Sequence, residues 1–548
     1  MPDLSDIETD LLRRHAKAIV HLRRQKSLKK LGLVFGAGIG KDVGLPSWDE
    51  LVSRIASHPD VNGIEALQEA PGIDQSLTIR IQKAFEWFRS HWEAPADIKS
   101  MDRRHRERAL VARWREIVRD CLYEKATDYS TEGIRNKHPY LDQYRKIIKE
   151  SEVTINYNFD ESLQLLLRDE TFDSEQMRKS FRTISKGTLR SRTLDPIIYH
   201  PNGFLPRNLL ESTDQLVFSE ESFADQLLQL NQHKEDYLAS HIAGKTCLFI
   251  GLSLNDANLK HLLRTGATAN PGQCHYYVCY DDGTLCNDAK DALRLANFQV
   301  YNLITLFLGK AGISALGSLI TKDDTQINRG AEQAGINLRF FYYVTGPMGV
   351  GKSTCLSHLY SLAAYDEWTQ ERLPELAKDR KLLTEPERKK VDKWLDDEFF
   401  RKNWNLHTAE EGLNIVDRPP LDPLSFTDQE DWPSRAQQLQ VAIKGQSSKS
   451  VQPGHVFLLT GDSWELQSRI ISQNKTSSSE TLHEIQEFLK KIYSVPGVTT
   501  VDTRSMSVSE LVRRVAQIIH LHDYVEADLS GRLNSIASME SRQVEMDF

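Results

Sequence analysis

Two glycine-rich turns in this 548-residue sequence have residues of the right type and spacing for phosphate chemistry. In the first, Gly36, Gly38 and Gly40 directly follow the apolar run Leu31 to Phe35, and Gly44-Leu45-Pro46 comes a few residues on. Glycines so placed let the backbone approach a pyrophosphate and aim amide groups at it, best at a helix N-terminus. The continuation Pro46-Ser47-Trp48 is not that of an ordinary dinucleotide fingerprint, in which an acidic ribose-binding residue is sought about 20 residues further on. In the second turn, Gly346-Pro347-Met348-Gly349-Val350-Gly351-Lys352-Ser353-Thr354 gives the G-x-x-x-x-G-K-S spacing between an apolar run and a helical pattern. Amides of such a loop cradle phosphates, Lys352 reaches the β- and γ-phosphates, and Ser353 ligates magnesium. A loop that binds nucleotide without turning it over fits the same residues.

Other polar residues stand at the ends of apolar runs, where a parallel sheet collects its functional groups. They are Asn156, Asn158 and Asp160 in TINYNFDESL, His200 in IIYHPNGFLP, Gly251 and Ser253 in LFIGLSLNDANLKHLL, and Asp417-Arg418 in GLNIVDRPPLDPLSF. His200 is of a type suited to proton transfer near neutrality. A structural turn residue beside Pro201 is the equal alternative. Arg469 lies on a helical pattern after VFLLTGDSW, where an ordinary surface pair is the plain alternative to a phosphate contact.

The elements that must position these groups alternate. Apolar runs ending in small or polar residues pass repeatedly into helical patterns, which predicts α/β architecture with mostly parallel sheets. The segments KLGLVF, EVTINYNF, KTCLFIGLSL, HYYVCYDDG and FQVYNLITLF read as strands of a first unit, and RFFYYVTG opens a second. From about Ile73 to Lys125 the pattern is helical, its aromatics and arginines read as packing with the arginine stems lying along apolar surface. The resulting division is an N-terminal helix over 1–29, a dinucleotide-binding unit over 30–325, a polar linker over 326–337, a P-loop unit over 338–522 and a mobile tail over 523–548.

Length alone implies more than one core. A hydrophobic share of 40% and a charged share of 27% supply enough apolar material for each to fold. The net charge of -8 gives no global attraction to nucleic acid or anionic membranes. No apolar run spans a bilayer, and the acidic opening MPDLSDIETD is unlike a secretion signal, so the expected location is the cytoplasm. Six cysteines without a CxxC pair are read as reduced, and the spacing of Cys274, Cys279 and Cys286 matches no common zinc pattern, so no zinc is expected.

Taken together, GAGIGKDVGLPSW, TINYNFDESL, IIYHPNGFLP and LFIGLSLNDANLKHLL resemble, in order and spacing, the sirtuin-like NADase domains of bacterial antiphage defence proteins over roughly residues 30–310. The resemblance implies that Gly36, Ala37 and Gly38 lie against NAD phosphates and that Asn156 is catalytic. It also implies that Gly251 and Ser253 hold the far end of the dinucleotide. Two positions depart from the family: Asn202 precedes Gly203 where a histidine is usual, and Asn158 stands where an aspartate is usual, with Asp160 nearby. Residues 338–522 look like thymidylate and deoxynucleoside kinases. On that likeness Asp417 assists catalysis or magnesium, Arg418 holds the acceptor, and Arg469 faces donor phosphates. The arginine-rich lid of many such kinases is reduced here to QNKTSSSE.

The expected activity is therefore hydrolysis of NAD to nicotinamide and ADP-ribose in abortive infection. ATP or another nucleoside triphosphate, with magnesium, would occupy the P-loop domain as a regulator. A phage-derived or operon-encoded protein trigger and a homo-oligomeric state are implied by the same resemblance. The alternative is a working nucleoside or nucleotide kinase with an NAD- or ADP-ribose-reading module. Lysine deacylation ranks last, because the two CxxC pairs of a zinc ribbon are missing.

Overall fold

The computed structural model describes all residues except 1–3, 62–75, 169–180, 186–194, 208–215, 232–235, 378–382, 445–449, 473–476 and 540–548. It divides into two compact units. One comprises Met1–Arg14, Leu22–Ala269 and Cys274–Gly330; the other comprises His15–His21, Asn270–Gln273 and Ala331–Phe548.

The first unit is built on strands β1 (Leu31–Phe35), β2 (Val153–Asn156), β3 (Arg182–Ile184), β4 (Ile197–Tyr199), β5 (Thr246–Ile250), β6 (His275–Tyr280) and β7 (Leu303–Leu308). They form one sheet of order β3-β4-β2-β1-β5-β6-β7 in which every ladder is parallel. Runs such as Leu31–Phe35, Thr246–Ile250 and Leu303–Leu308 are buried along their whole length. That is why they read as continuous apolar stretches rather than as alternation. The chain leaves β1 on one side toward β2 and returns on the other at β5, so the order reverses at β1. The crevice at such a point, beyond the carboxyl ends of the strands, is where open α/β sheets bind ligands.

Between β1 and β2 the chain makes helices Trp48–Ala56, Leu77–His91, Arg103–Tyr123, Thr131–Lys137 and Pro139–Glu150. Ser47 starts the first of these with a capping box: its backbone amide donates to Glu50 at 2.7 Å, and its hydroxyl accepts from the Glu50 amide. Phe88, Trp114, Ile117 and Val118 then pack with Leu51, Ile55 and Phe159 into one core, so these aromatics are structural.

Three expectations are corrected here. Phe298 to Tyr301, read as strand, closes the helix Asn287–Tyr301; Asn302 ends it in a left-handed turn at φ 52°, and the strand begins only at Leu303. The supposed linker is the helix Asp324–Ala334, with Ile327 and Ala331 buried four residues apart on one face. The supposed tail contains the helix Leu529–Ala537, whose Leu529, Leu533 and Ile536 join the core of Trp432, Ala436, Leu439 and Ile443. The rest of that tail, 540–548, lies outside the described residues.

The second unit has β8 (Arg339–Thr345), β9 (Ala363–Tyr365), β10 (Gly412–Asp417), β11 (His455–Thr460) and β12 (Val498–Asp502) in the all-parallel order β12-β11-β8-β10-β9. β8 is central, and its carboxyl end carries the P-loop. No described helix is long and apolar enough to cross a membrane.

Candidate functional site

The carboxyl ends of β1 and β5 meet through glycine. The Gly38 amide donates to the Gly251 carbonyl at 2.8 Å and the Gly36 amide to the Ile250 carbonyl at 3.0 Å. A Cβ on Gly38 would stand 2.9 Å from Gly251 Cα, and one on Gly251 would stand 2.9 Å from the Ile39 amide nitrogen. Gly251 also has φ 70°, which a side chain would strain. Residues Ala37–Val43 form a short 3₁₀ helix on this turn, with Gly44 closing it at φ 83°. Ser253, two residues past Gly251, is exposed.

The end of β2 completes the floor. Asn156 is fully buried; its Oδ1 accepts the Asn158 amide at 3.2 Å, and its Nδ2 has no hydrogen-bond partner among the described residues. A buried amide nitrogen left this way costs about 1–3 kcal/mol unless something outside the fold accepts from it. Asn158 laces the two turns, its Nδ2 donating to the Gly36 carbonyl at 2.9 Å. Asp160 is buried, and its Oδ1 accepts the Ser162 amide at 2.8 Å and the Tyr129 hydroxyl at 3.3 Å. Burial raises its pKa, and these bonds to Ser162 and Tyr129 only partly offset that.

His200 lies beneath this floor. Its ring is fully buried, Nδ1 is 2.7 Å from the Asn158 carbonyl, and Nε2 is 2.8 Å from Gln164 Nε2. The pairing requires a neutral ring that donates from Nδ1 and accepts at Nε2. Burial, partly opposed by the Asn158 contact, takes its pKa down to about 4. Both ring nitrogens of His200 are thus engaged within the fold, one by the Asn158 carbonyl and one by Gln164. Asn202 turns elsewhere: its Nδ2 is 3.4 Å from the Tyr157 carbonyl, and it hydrogen-bonds Asp256, the residue that also accepts the Leu259 amide at 2.8 Å.

A pocket opens between the β1 and β2 turns. Ala37, Leu45, Trp48, Tyr157, Asn158 and Asp160 are among the residues that line it. Trp48 packs on Phe159 and Phe218 at 5.9 and 5.1 Å between ring centroids, which gives the pocket an aromatic wall. Sequence reasoning quoted Trp48 and Phe159 inside their motifs without giving them a role, and it missed Gln164 altogether.

In the second unit the P-loop has Gly346, Gly349 and Gly351 at φ 147°, 81° and 101°. Lys352 folds back on it, its Nζ donating to the Gly346 and Pro347 carbonyls at 2.8 and 3.0 Å. Burial, together with the Arg418 charge, lowers this lysine to about 8, so it stays largely cationic at neutral pH. Ser353 and Thr354 are exposed at the start of the helix Lys352–His358.

Asp417 ends β10 and is buried, with Oδ1 unpartnered among the described residues; burial raises its pKa against the pull of Lys352. Arg418 follows at φ 63°, with Nε donating to Glu367 at 2.5 Å and Nη1 to Asp422 at 3.1 Å. Burial opposes its charge, but Glu367, Asp422 and Asp417 overcome that and raise its pKa. Burial alone would raise Glu367, yet Arg418 and Lys352 hold it below the ordinary value. Lys402, buried on the helix Glu385–His407, donates to the Asp417 carbonyl, and Asp422 accepts from Thr345 at 2.8 Å and from Tyr493 at 2.7 Å.

Sequence reasoning missed Glu367, Lys402 and Asp422; only Glu367, two residues beyond a short strand, left any signal. Arg469 is not part of this cluster. It pairs with Glu465 one turn back on its own helix at 2.5 Å, the plain surface pair, although that helix packs on Gly349. Arg418 and Asp417 are thus brought together with Lys352, and Arg469 is not. Orphaned Asp417 Oδ1, the exposed Ser353 hydroxyl and the Lys352 ammonium form a donor set that fits a magnesium–nucleotide.

The two units make an α/β protein with glycine turns at the carboxyl end of one parallel sheet and a P-loop at the carboxyl end of the other. The family described as SIR2-like domain matches residues 152–303, from the residue before β2 to the first residue of β7. Gly36 to Pro46 lie outside the matched span. No curated protein matches the chain. Among solved structures, a deoxyadenosine kinase from M. mycoides with bound dATP aligns at 18% identity and a TM-score of 0.26. The alignment covers 32% of this chain and 97% of that one. A thymidylate kinase from Candida albicans aligns at 13% identity and a TM-score of 0.25, covering 34% and 95%.

Proposed function

We propose that the first unit hydrolyses NAD to nicotinamide and ADP-ribose, and that nucleotide binding at the P-loop of the second unit regulates it. The observation that carries this reading is Asn156: a fully buried amide whose Nδ2 has no hydrogen-bond partner among the described residues, at the end of β2 beside the strand whose glycine turn follows Phe35. The glycine turns suit a pyrophosphate. In the reaction the bond from ribose C1′ to the pyridinium nitrogen breaks, its electron pair stays with nicotinamide, and a water oxygen bonds C1′. The centre passes through an oxocarbenium-like state, so the chain must orient the ribose hydroxyls and the water and needs no nucleophile of its own. On this reading Asn156 Nδ2, which has no acceptor among the described residues, donates to such an oxygen.

The SIR2-like match over 152–303 supports NAD-related chemistry. The antiphage setting, the homo-oligomer, the cytoplasmic location and a phage-derived or operon-encoded protein trigger rest on the likeness of the four motifs alone. The test is nicotinamide release from NAD by purified protein, with and without nucleoside and deoxynucleoside phosphates plus magnesium. Asn156→Ala should abolish release, and because it also removes the acceptor of the buried Asn158 amide it should lower stability by about 1–3 kcal/mol. Release undiminished in this variant would overturn the assignment.

A second reading, a working nucleoside or nucleotide kinase with an NAD- or ADP-ribose-binding module, is favoured by the unpartnered Asp417 carboxylate oxygen beside Lys352. It predicts phosphorylation of a labelled nucleoside or nucleotide that is lost in Lys352→Ala and unaffected by Asn156→Ala.

A further inference from the structure

If the first unit hydrolyses NAD, some group must accept a proton from the attacking water, and the fold narrows the choice. His200 is closed off, because its two ring nitrogens are engaged by Asn158 and Gln164 and the ring has no exposed surface. Glu161 accepts the Arg207 amide at 3.2 Å, and its other oxygen lies 3.6 Å from Arg168. Asp256 accepts the Leu259 amide at the start of its helix and a hydrogen bond from Asn202. Asp42 pairs with Lys310 at 2.7 Å. Asp160 differs from all of these, for it lines the aromatic-walled pocket next to Ala37 and Asn158. Its Oδ1 is anchored by the Ser162 amide and the Tyr129 hydroxyl; the Ser162 hydroxyl and its own amide also favour its charge, and no other protein group among the described residues donates to the carboxylate.

On the strength of this geometry, and resting on the NADase reading, we propose that Asp160 is the general base of the hydrolysis, taking the water proton on Oδ2 as the water oxygen bonds ribose C1′. The balance is simple. Nicotinamide leaves with the electron pair of the broken C1′–N1 bond, the hydroxyl joins the ribose, and the proton passes to the carboxylate and then to solvent. The anchored oxygen fixes the carboxylate plane, as a base needs. Burial makes the carboxylate more basic than a surface aspartate. The ionisable neighbours that face it are Glu161, Tyr123 and Tyr129, and Arg207 stacks over both tyrosine rings at 5.6 and 5.1 Å.

A base that acts only on water should be dispensable for cleaving the nicotinamide bond. The experiment compares two rates in the full-length protein: NAD hydrolysis, and incorporation of labelled nicotinamide into NAD, which needs bond cleavage and re-formation but no water. Asp160→Asn keeps an oxygen for the Ser162 amide. It should lower hydrolysis by about a hundredfold or more while label incorporation stays within a few-fold of wild type. Hydrolysis left unchanged, or both rates lost together, would overturn the proposal. Should the variant fail to fold, wild type still decides. Hydrolysis should fall on acidification along a limb lying above the ordinary aspartate range, a limb that label incorporation lacks; identical profiles for the two rates would exclude a base specific to water. Neither rate in wild type, under any nucleotide condition, sinks the NADase reading itself, whereas normal hydrolysis by Asp160→Asn sinks only the assignment of the base.

Discussion

A side chain on Gly38 would meet the Gly251 backbone, and one on Gly251 would meet Ile39 and the Gly36 carbonyl, so the β1–β5 turn has no room for a side chain at either position. Gly251→Ala would place a methyl 2.9 Å from the Ile39 amide nitrogen on a backbone at φ 70°. The expected cost is about 1–3 kcal/mol of stability, seen as a lower urea midpoint, together with loss of the thermal stabilisation by NAD that the proposed function predicts for wild type. Full stabilisation by NAD in this variant would argue that the β1–β5 crevice is not the dinucleotide site. Residues of this kind are legible in a sequence because their reason is local: a glycine after an apolar run, or an asparagine ending one. His200 shows the limit. Its type suggested proton transfer, but its role is set by Gln164, 36 residues away in sequence, and by the carbonyl of Asn158. Lys402 was invisible for the same reason, since only the fold brings it to Asp417.

Elements were legible where apolar runs were continuous and bounded by glycine or polar residues, and both parallel sheets follow from that pattern. The segments misread were short helices with little apolar content, in which a few buried contacts outweigh a polar composition. Leu529, Leu533 and Ile536 recur at helical spacing within a serine-rich stretch, so the signal was present though sparse. Leu533→Ala should destabilise the second unit by about 2–5 kcal/mol, measured as a shift in chemical unfolding followed by tryptophan fluorescence, because Trp432 belongs to the same core. A change near zero would show that this helix is detached in solution. Boundaries suffered most: Asn302 in a left-handed turn ends a helix at a point where the sequence reads as uninterrupted strand.

At the scale of the whole molecule, the first unit buries several histidines without charge. Burial is the chief cause that takes His200 and His275 down to about 4 and His241 to about 3, from an ordinary value of 6.5. Because the folded values are depressed, stability is complete above pH 6.5 and is lost as the pH falls toward 4, where unfolded chains bind protons that the folded unit refuses. Each such group is worth roughly 3 kcal/mol at the acid end. The urea midpoint of the first unit should therefore fall steeply between pH 6.5 and 4.5, and a flat profile would refute the neutral burial of these rings. The second unit carries its charge differently, with Lys352 already bonded to the Gly346 and Pro347 carbonyls. Anything entering the loop must replace two neutral acceptors with one that the ammonium prefers. A phosphate oxygen is such an acceptor and a ribose hydroxyl is not. If the loop takes a nucleotide as proposed, an unphosphorylated nucleoside should leave the lysine where it is, and the loop should discriminate by phosphate before any base is read.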